Sequence, residues 1–484
     1  MAASFFFYDL ETSGINPRTA RVMQFAGQRT DMDLKPIGEP VNSFITLTPD
    51  ILPDPDAILL TGITPQQTLA EGVSETAFLK QFYEDVVKPD TIFVGFNSIR
   101  FDDEFMRFLH WRNFYDAYEW QWQNGCSKWD MLDVVRMTRA LRPEGIKWGF
   151  GSEGGPSNRL EVLTSVNKLK HANAHDALGD VNATIEVAKL IHKKQPDLFK
   201  YLLNIRSKKA VAGLVNTYKP FVYTSGHFSS DYLHTSPVVK FADHPTNEAA
   251  LVYDLKSDPT PYLLMSIEKL IDAWRYSPDK EKQRLPVKTL KYNRCPAVAP
   301  IGVINSKGVE DRLHISMPDV NKHYKILKEN QTHFAEKIFQ VLKVLDEERE
   351  AEQADLLDNP LTVDERLYED FVPASDRNLM RAIRTSEPDE IYEIGSNFQD
   401  KRLINLLPLY KARNFPKSLD PEEQLAWETY CKAKLLSGGK QSRAAAYFAL
   451  LEERLTTNPT KQKQYLLEEL RLYGESILPV DVAD

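Results

Sequence analysis

Along its first 200 residues the chain alternates short apolar runs with longer stretches whose apolar positions recur at helical spacing. Residues 4–10 (SFFFYDL), 22–29, 41–47 and 91–97 (TIFVGFN) have the pattern of strands in a largely covered sheet. Residues 75–87, 102–111, 129–141, 159–167 and 177–194 read as helices. This alternation predicts an α/β fold with a mixed sheet. A boundary falls near Gln195 and Pro196, where a long helix runs into a proline. From about 200 to 350 the pattern changes to short β-rich pieces at 220–224, 237–241, 249–254 and 287–292, separated by Pro, Gly, Ser and Asp. A small barrel or sandwich fits that spacing. Residues 322–357 read as one helix, ending in the acidic run 346–350 (DEERE), a solvated face between domains. Beyond 360 the pattern is almost wholly helical, with stop signals at Pro388, Pro408, Pro416 and Gly438-Gly439.

Composition narrows the class. A chain of 484 residues predicts about three domains at roughly 150 residues each. With 42% hydrophobic and 11% aromatic residues it has neither the bias of a disordered tail nor that of a membrane protein. No apolar run approaches the roughly 20 residues of a membrane span. No basic residue precedes the first apolar stretch and Asp9 interrupts it, so no signal peptide is expected and the expected location is the cytoplasm. Cys126, Cys295 and Cys431 lie more than 130 residues apart and form no CxxC or Cys/His cluster, so neither a zinc site nor a disulfide framework is expected, which suits a reducing compartment. The net charge of -9 is unevenly spread: residues 1–200 carry -6, 201–350 carry +4 and 351–484 carry -7. Phosphate binding depends on local potential, so the basic middle third keeps a nucleic-acid substrate open.

Three weak signals for chemistry occur in order. Asp9 and Glu11 end the first run two residues apart, and the strand period of two puts both carboxylates on one face. Paired carboxylates with no Cys or His nearby suit Mg²⁺ or Mn²⁺. Asp102, directly after a buried strand, is placed at a sheet edge where α/β proteins bind ligands, whereas Asp103 and Glu104 are explained by the helix dipole. His175 and Asp180 flank the opening of the 177–194 helix and can face a common cleft, with Asp176 and Asp103 as alternative acids.

The stretches YDLETSG, NSIRFDDEFMR, KWDMLDVVR, RLEVL, NAHDALGDVNATIEVAKL and LKYNRCPAVAP together resemble the exonuclease I family, within the histidine-bearing branch of the DEDD exonucleases. The resemblance covers nearly the whole chain. It implies an RNase H-like exonuclease domain with a mixed sheet over 1–195, an SH3-like β-barrel over 196–350 and an all-helical C-terminal domain over 351–484. It also implies processive 3′ to 5′ degradation of single-stranded DNA to 5′-mononucleotides, in DNA repair and recombination. By the same resemblance Asp9, Glu11, Asp102 and Asp180 hold two Mg²⁺ ions, with Mn²⁺ as a substitute. His175 is then the general base, and Arg159 and Glu11 hold the nucleotide being cleaved.

Between residues 107 and 142 aromatic residues and arginines interleave, a composition that can stack bases and neutralise phosphates; Arg107, Tyr118, Trp122, Arg136 and Arg142 are the expected strand contacts, and at least half of the aromatic rings are expected in the core. The family resemblance further implies recruitment by the C-terminal tail of single-stranded-DNA-binding protein. Arg142, the 288–294 stretch and Arg312 are its candidate rim and Tyr201 its pocket wall. A monomer with no membrane partner is expected. Two rival readings are a 3′ exoribonuclease of the RNase T or oligoribonuclease type, which would resemble only the first 200 residues, and an inactive single-strand-binding scaffold.

Overall fold

The computed structural model describes residues 3–171, 176–275, 284–354, 360–457 and 459–478. The chain forms two compact units, neither of them continuous in sequence. One joins Met1–Ser127, Ala172–Asn182 and Leu356–Asp484; the other joins Lys128–His171 and Ala183–Asp355.

At the centre of the first unit lies β1 (Ser4–Thr12), antiparallel to β2 (Val22–Thr30) and parallel to β4 (Thr91–Gly95). β3 (Val41–Phe44) adds antiparallel to β2, so the sheet is mixed, as the alternating pattern predicts. Phe6, Tyr8 and Leu10 of β1 share one face and pack with Phe25, Phe78, Phe82, Phe105, Met106 and Leu109. Strand alternation sends the side chains of Asp9 and Glu11 to the other face.

The helix Asp102–Arg112 is buried at every position but Glu104, because it serves two cores. Phe105, Met106 and Leu109 face the sheet, while Phe108 and Trp111 enter a second core with Val363, Met380, Ile383, Leu403, Leu406 and Tyr410. The helical C-terminal segment thus completes the unit that holds the first strand. Pro408, expected to stop a helix, lies inside Lys401–Asn414. Leu403, Leu406, Leu407, Leu409 and Tyr410 are buried around it, and that packing outweighs the roughly 3 kcal/mol that an interior proline costs. Pro388 and Pro416 do lie beyond helix ends, after Ala374–Thr385 and Lys401–Asn414.

Five buried charges tie the two ends of the chain together inside this unit. Arg21 donates to Asp364 at 2.7 Å, and Arg413 bridges Asp364 at 2.8 Å and Asp50 at 2.7 Å. Lys434 reaches Asp50 at 2.6 Å. Burial alone would raise both carboxyls, but Arg413, Arg21 and Lys434 outweigh it and hold Asp50 and Asp364 well below the ordinary carboxylate range.

The second unit is built on an antiparallel sheet. β5 (Ser127–Asp130) begins at the division between the units, so the helix expected from 129 starts instead at Met131, with Asp130 as its cap. The sheet order is β10 (Ala297–Pro300), β6 (Phe221–Thr224), β7 (Thr235–Asp243), β8 (Ala249–Asp254) and β9 (Val287–Lys291). The β-rich pieces expected here form β6 to β9, and β10, which the sequence reading did not include, joins them as a four-residue edge strand. Helices Pro196–Ile205, Lys208–Val215 and Ile267–Trp274 lie among them, which the β reading of this segment omitted. The single helix expected over 322–357 is two, Met317–Glu329 and Gln331–Ala354, separated at Asn330.

Candidate active site

Asp9 and Glu11 lie on β1 opposite Ala26 and Gln24 of β2, just before a register shift between Glu11 and Thr12. Asp180 stands in the first turn of the helix Ala177–Lys194, where Asp176 accepts the Gly179 amide at 3.3 Å. One carboxylate oxygen from each of Asp9, Glu11 and Asp180 falls within 4.8 Å of the others, the one such cluster among the described residues. Asp102 approaches from the sheet edge, its Oδ1 accepting the Leu10 amide at 3.2 Å. Its neighbour Asp103 accepts the Tyr8 hydroxyl at 2.5 Å, beneath the sheet. The two neighbouring acids are thus engaged differently: Asp102 meets the backbone between Asp9 and Glu11, and Asp103 a hydroxyl on the core side. His175 lies outside the described residues.

The electrostatics call for a cation. Burial first, then the charges of Asp102, Glu11, Asp180 and Asp176, push Asp9 well above the carboxylate range. Burial, then Asp180, Asp102 and Asp176, push Glu11 up to about 8. An all-oxygen donor set of crowded, buried carboxylates fits a hard divalent cation, which would replace their mutual repulsion by shared attraction. A carboxyl whose folded pKa is raised penalises folding above its unfolded value, so Glu11 weakens the cation-free fold increasingly from pH about 4.5 to about 8 and fully beyond. Glu11→Gln is accordingly expected to raise the melting temperature in EDTA at pH 8, with the gain gone by pH 4, and to lose the stabilisation that Mg²⁺ gives the wild type. Thermal unfolding with and without Mg²⁺ checks both.

Of the aromatic cluster, Trp111, Trp120 and Trp129 are core residues, whereas Tyr118 and Trp122 reach solvent, Trp122 being 63% exposed. They line a cavity of about 650 Å³ whose other wall comes from the C-terminal segment through Tyr368, Phe371, Arg377 and Arg381. That wall went unnoticed in the sequence because no motif marks it and it forms only where the C-terminal segment meets residues 111–123. Arg107, expected to touch the strand, lies beneath Tyr118 with its guanidinium carbon 5.1 Å from the ring centroid, and it pairs with Glu104. It supports the ring rather than offering a free cation.

In the second unit, Arg159 opens the helix Leu160–Asn167 with its side chain 79% exposed. Arg136 pairs with Asp133 at 2.7 Å. Arg142 and Arg312 gather at the end of the helix Met131–Leu141, donating to Leu141 O at 2.6 Å and Ala140 O at 2.9 Å. Tyr201 donates to Val298 O at 3.1 Å.

A mixed-sheet α/β domain that brings acids of its central strand against the first turn of a helix is the architecture of a divalent-cation-dependent exonuclease domain, and an exonuclease model matches residues 6–188. The models of the exonuclease I SH3-like domain and the exonuclease I C-terminal domain match residues 206–344 and 361–477. The chain belongs to the exonuclease I family. It is 37% identical to the exodeoxyribonuclease I of Haemophilus influenzae over 98% of this chain and 99% of that one. The zinc-bound complex of Escherichia coli exonuclease I with single-stranded DNA superposes with a TM-score of 0.89 at 37% identity. That match covers 99% of this chain and 100% of the other. A structure of SSB/exonuclease I in complex with the inhibitor CFAM has a TM-score of 0.88 at 36% identity, with the same coverage.

Proposed function

We propose that this protein is a processive 3′ to 5′ exodeoxyribonuclease that hydrolyses single-stranded DNA to 5′-mononucleotides in DNA repair and recombination, acting as a cytoplasmic monomer. The observation that carries the reading is the meeting of Asp9, Glu11 and Asp180 in a chain whose likeness to exodeoxyribonuclease I is nearly full-length. Asp9, Glu11, Asp102 and Asp180 would hold two Mg²⁺ ions, with Mn²⁺ as a substitute. Bound there, the ions supply charge stabilisation at the phosphodiester and lower the pKa of a bound water. The protein's own part is orientation and proton transfer. His175 takes the proton of the attacking water, and Glu11 and Arg159 hold the terminal nucleotide. Tyr118 and Trp122 offer faces for base stacking, Arg107 braces Tyr118, and Arg136 and Arg142 supply positive charge. The pairing of Arg142 with Arg312 around one helix end suits the acidic C-terminal tail of single-stranded-DNA-binding protein. Functional divisions near residues 195 and 350 accompany this assignment. Among the described residues no helix is long and apolar enough to cross a membrane.

One oligonucleotide offered as single-stranded DNA, duplex DNA and RNA, labelled at either end, with and without Mg²⁺, tests the reading. Mononucleotide release from the 3′ end of the DNA single strand alone, dependent on the cation, is the expected outcome. Equal digestion of RNA would favour the exoribonuclease reading, and binding without cleavage the scaffold.

A further inference from the structure

Two hydrogen bonds cross from β1 to the opening of the helix Asp102–Arg112, and each involves a residue next to a proposed metal ligand. The Leu10 amide, between Asp9 and Glu11, donates to Asp102 at 3.2 Å. The Tyr8 hydroxyl, one residue before Asp9, donates to Asp103, one residue after Asp102, at 2.5 Å. The second bond is dry: Tyr8 is 3% and Asp103 1% exposed. Both partners are otherwise fixed. The Tyr8 ring packs edge-on against Phe93 and Trp120, and the Asp103 amide donates to Ser98 O at 2.8 Å. Arg107, one helical turn on, brings its guanidinium to 3.8 Å from the Asp103 carboxylate.

The helix start lacks a side-chain cap, since Phe101 offers none. Ser98 O and Phe101 O take the amides of its first turn, and the side chains of Asp102 and Asp103 tie that turn to β1. A carboxylate pair on a strand and a third carboxylate on a helix form one cation site only if the strand and helix keep their spacing to a fraction of an ångström. From this geometry we infer that Tyr8 and Asp103 are positioning residues whose buried hydrogen bond sets the spacing between Asp9 and Glu11 on β1 and Asp102 on the helix, and through it the affinity for the divalent cation. This rests on the metal-site reading above. In this role the two side chains act through the residues beside them, Asp9 and Asp102, rather than as ligands.

Tyr8→Phe removes only the hydroxyl and keeps the ring in its aromatic core, while Asp103→Asn keeps an oxygen acceptor and removes the charge paired with Arg107. Mn²⁺ binding followed by electron paramagnetic resonance, without DNA, reads affinity directly; the Mg²⁺ concentration giving half-maximal activity reads it in turnover. Tyr8→Phe is expected to weaken Mn²⁺ binding about 10- to 100-fold, the range for residues that orient metal ligands. The maximal rate at saturating Mg²⁺ should stay within about threefold, and Asp103→Asn should lie between Tyr8→Phe and wild type. If Tyr8→Phe proves too unstable to purify, Asp103→Asn alone decides. A variant that melts earlier yet binds Mn²⁺ as wild type assigns the bond to stability only and overturns the inference. The site reading is tested separately by Asp9→Asn: Mn²⁺ binding that survives this substitution would defeat the metal site itself, whatever Tyr8→Phe does.

Discussion

Alanine at Asp9, Asp102 or Asp180 is expected to lower nucleotide release from a labelled single strand by more than about 10³-fold even at saturating Mg²⁺, since each removes part of a charge-stabilising site worth several kcal/mol. His175→Ala is expected to lose roughly 10²- to 10⁴-fold while still binding Mn²⁺, because a general base moves a proton and holds no ion. Steady-state rates at rising Mg²⁺, beside cation binding for each variant, separate the two classes. Asp103→Ala gives the contrast: its rate should recover as Mg²⁺ is raised, where Asp102→Ala stays silent. Near-wild-type turnover by Asp102→Ala would remove that residue from the site, as would equal behaviour of the two neighbours.

The largest effect on stability is expected where five charges are buried together. Asp364→Ala leaves Arg21 and Arg413 without their shared carboxylate, and breaking such a buried pair costs about 3–5 kcal/mol. Replacing Arg21, Asp50, Asp364, Arg413 and Lys434 together by apolar residues of similar volume should cost less than Asp364→Ala alone, because none of the five charges then remains stranded. Acid should act in the same direction. Both carboxyls are held below the ordinary value of 3.8, so their contribution is present above that pH and lost as pH falls below it. Denaturant unfolding at pH 7 and at pH 3 measures both effects. A wild type whose midpoint is unchanged between those pH values would contradict the account.

How far the sequence carries depends on the range of the interaction. β1, β4 and the helix at Asp102 were legible because continuous apolar runs and helical periodicity are local signals. The acids at 9, 11, 102 and 180 followed from spacing and resemblance. What each of the neighbours Asp102 and Asp103 bonds to did not, since Asp103 meets Tyr8, 95 residues away, and Asp102 the backbone of β1. Pro408 misled for a similar reason: proline's local penalty is readable, whereas the buried leucines that override it are tertiary. The cavity wall at Tyr368 and Phe371 could not be read from pattern at all. It exists only because the C-terminal segment packs beside residues 111–123 of the first unit.

The order in which the chain is made runs against the order in which its first unit closes. Arg21, Asp50 and the Phe108 and Trp111 side of the active-site helix emerge early, but Val363, Asp364, Arg413 and Lys434 are made at the end. Arg21 and Asp364 are 343 residues apart, a wait of roughly 20–70 s at about 5–20 residues per second of synthesis. Through that interval the nascent unit exposes an apolar helix face and an unfinished ionic cluster, the kind of surface that chaperones hold and proteases find. A chain truncated near residue 350 is therefore expected to be protease-sensitive and without cleavage activity, which limited proteolysis of such a fragment would check.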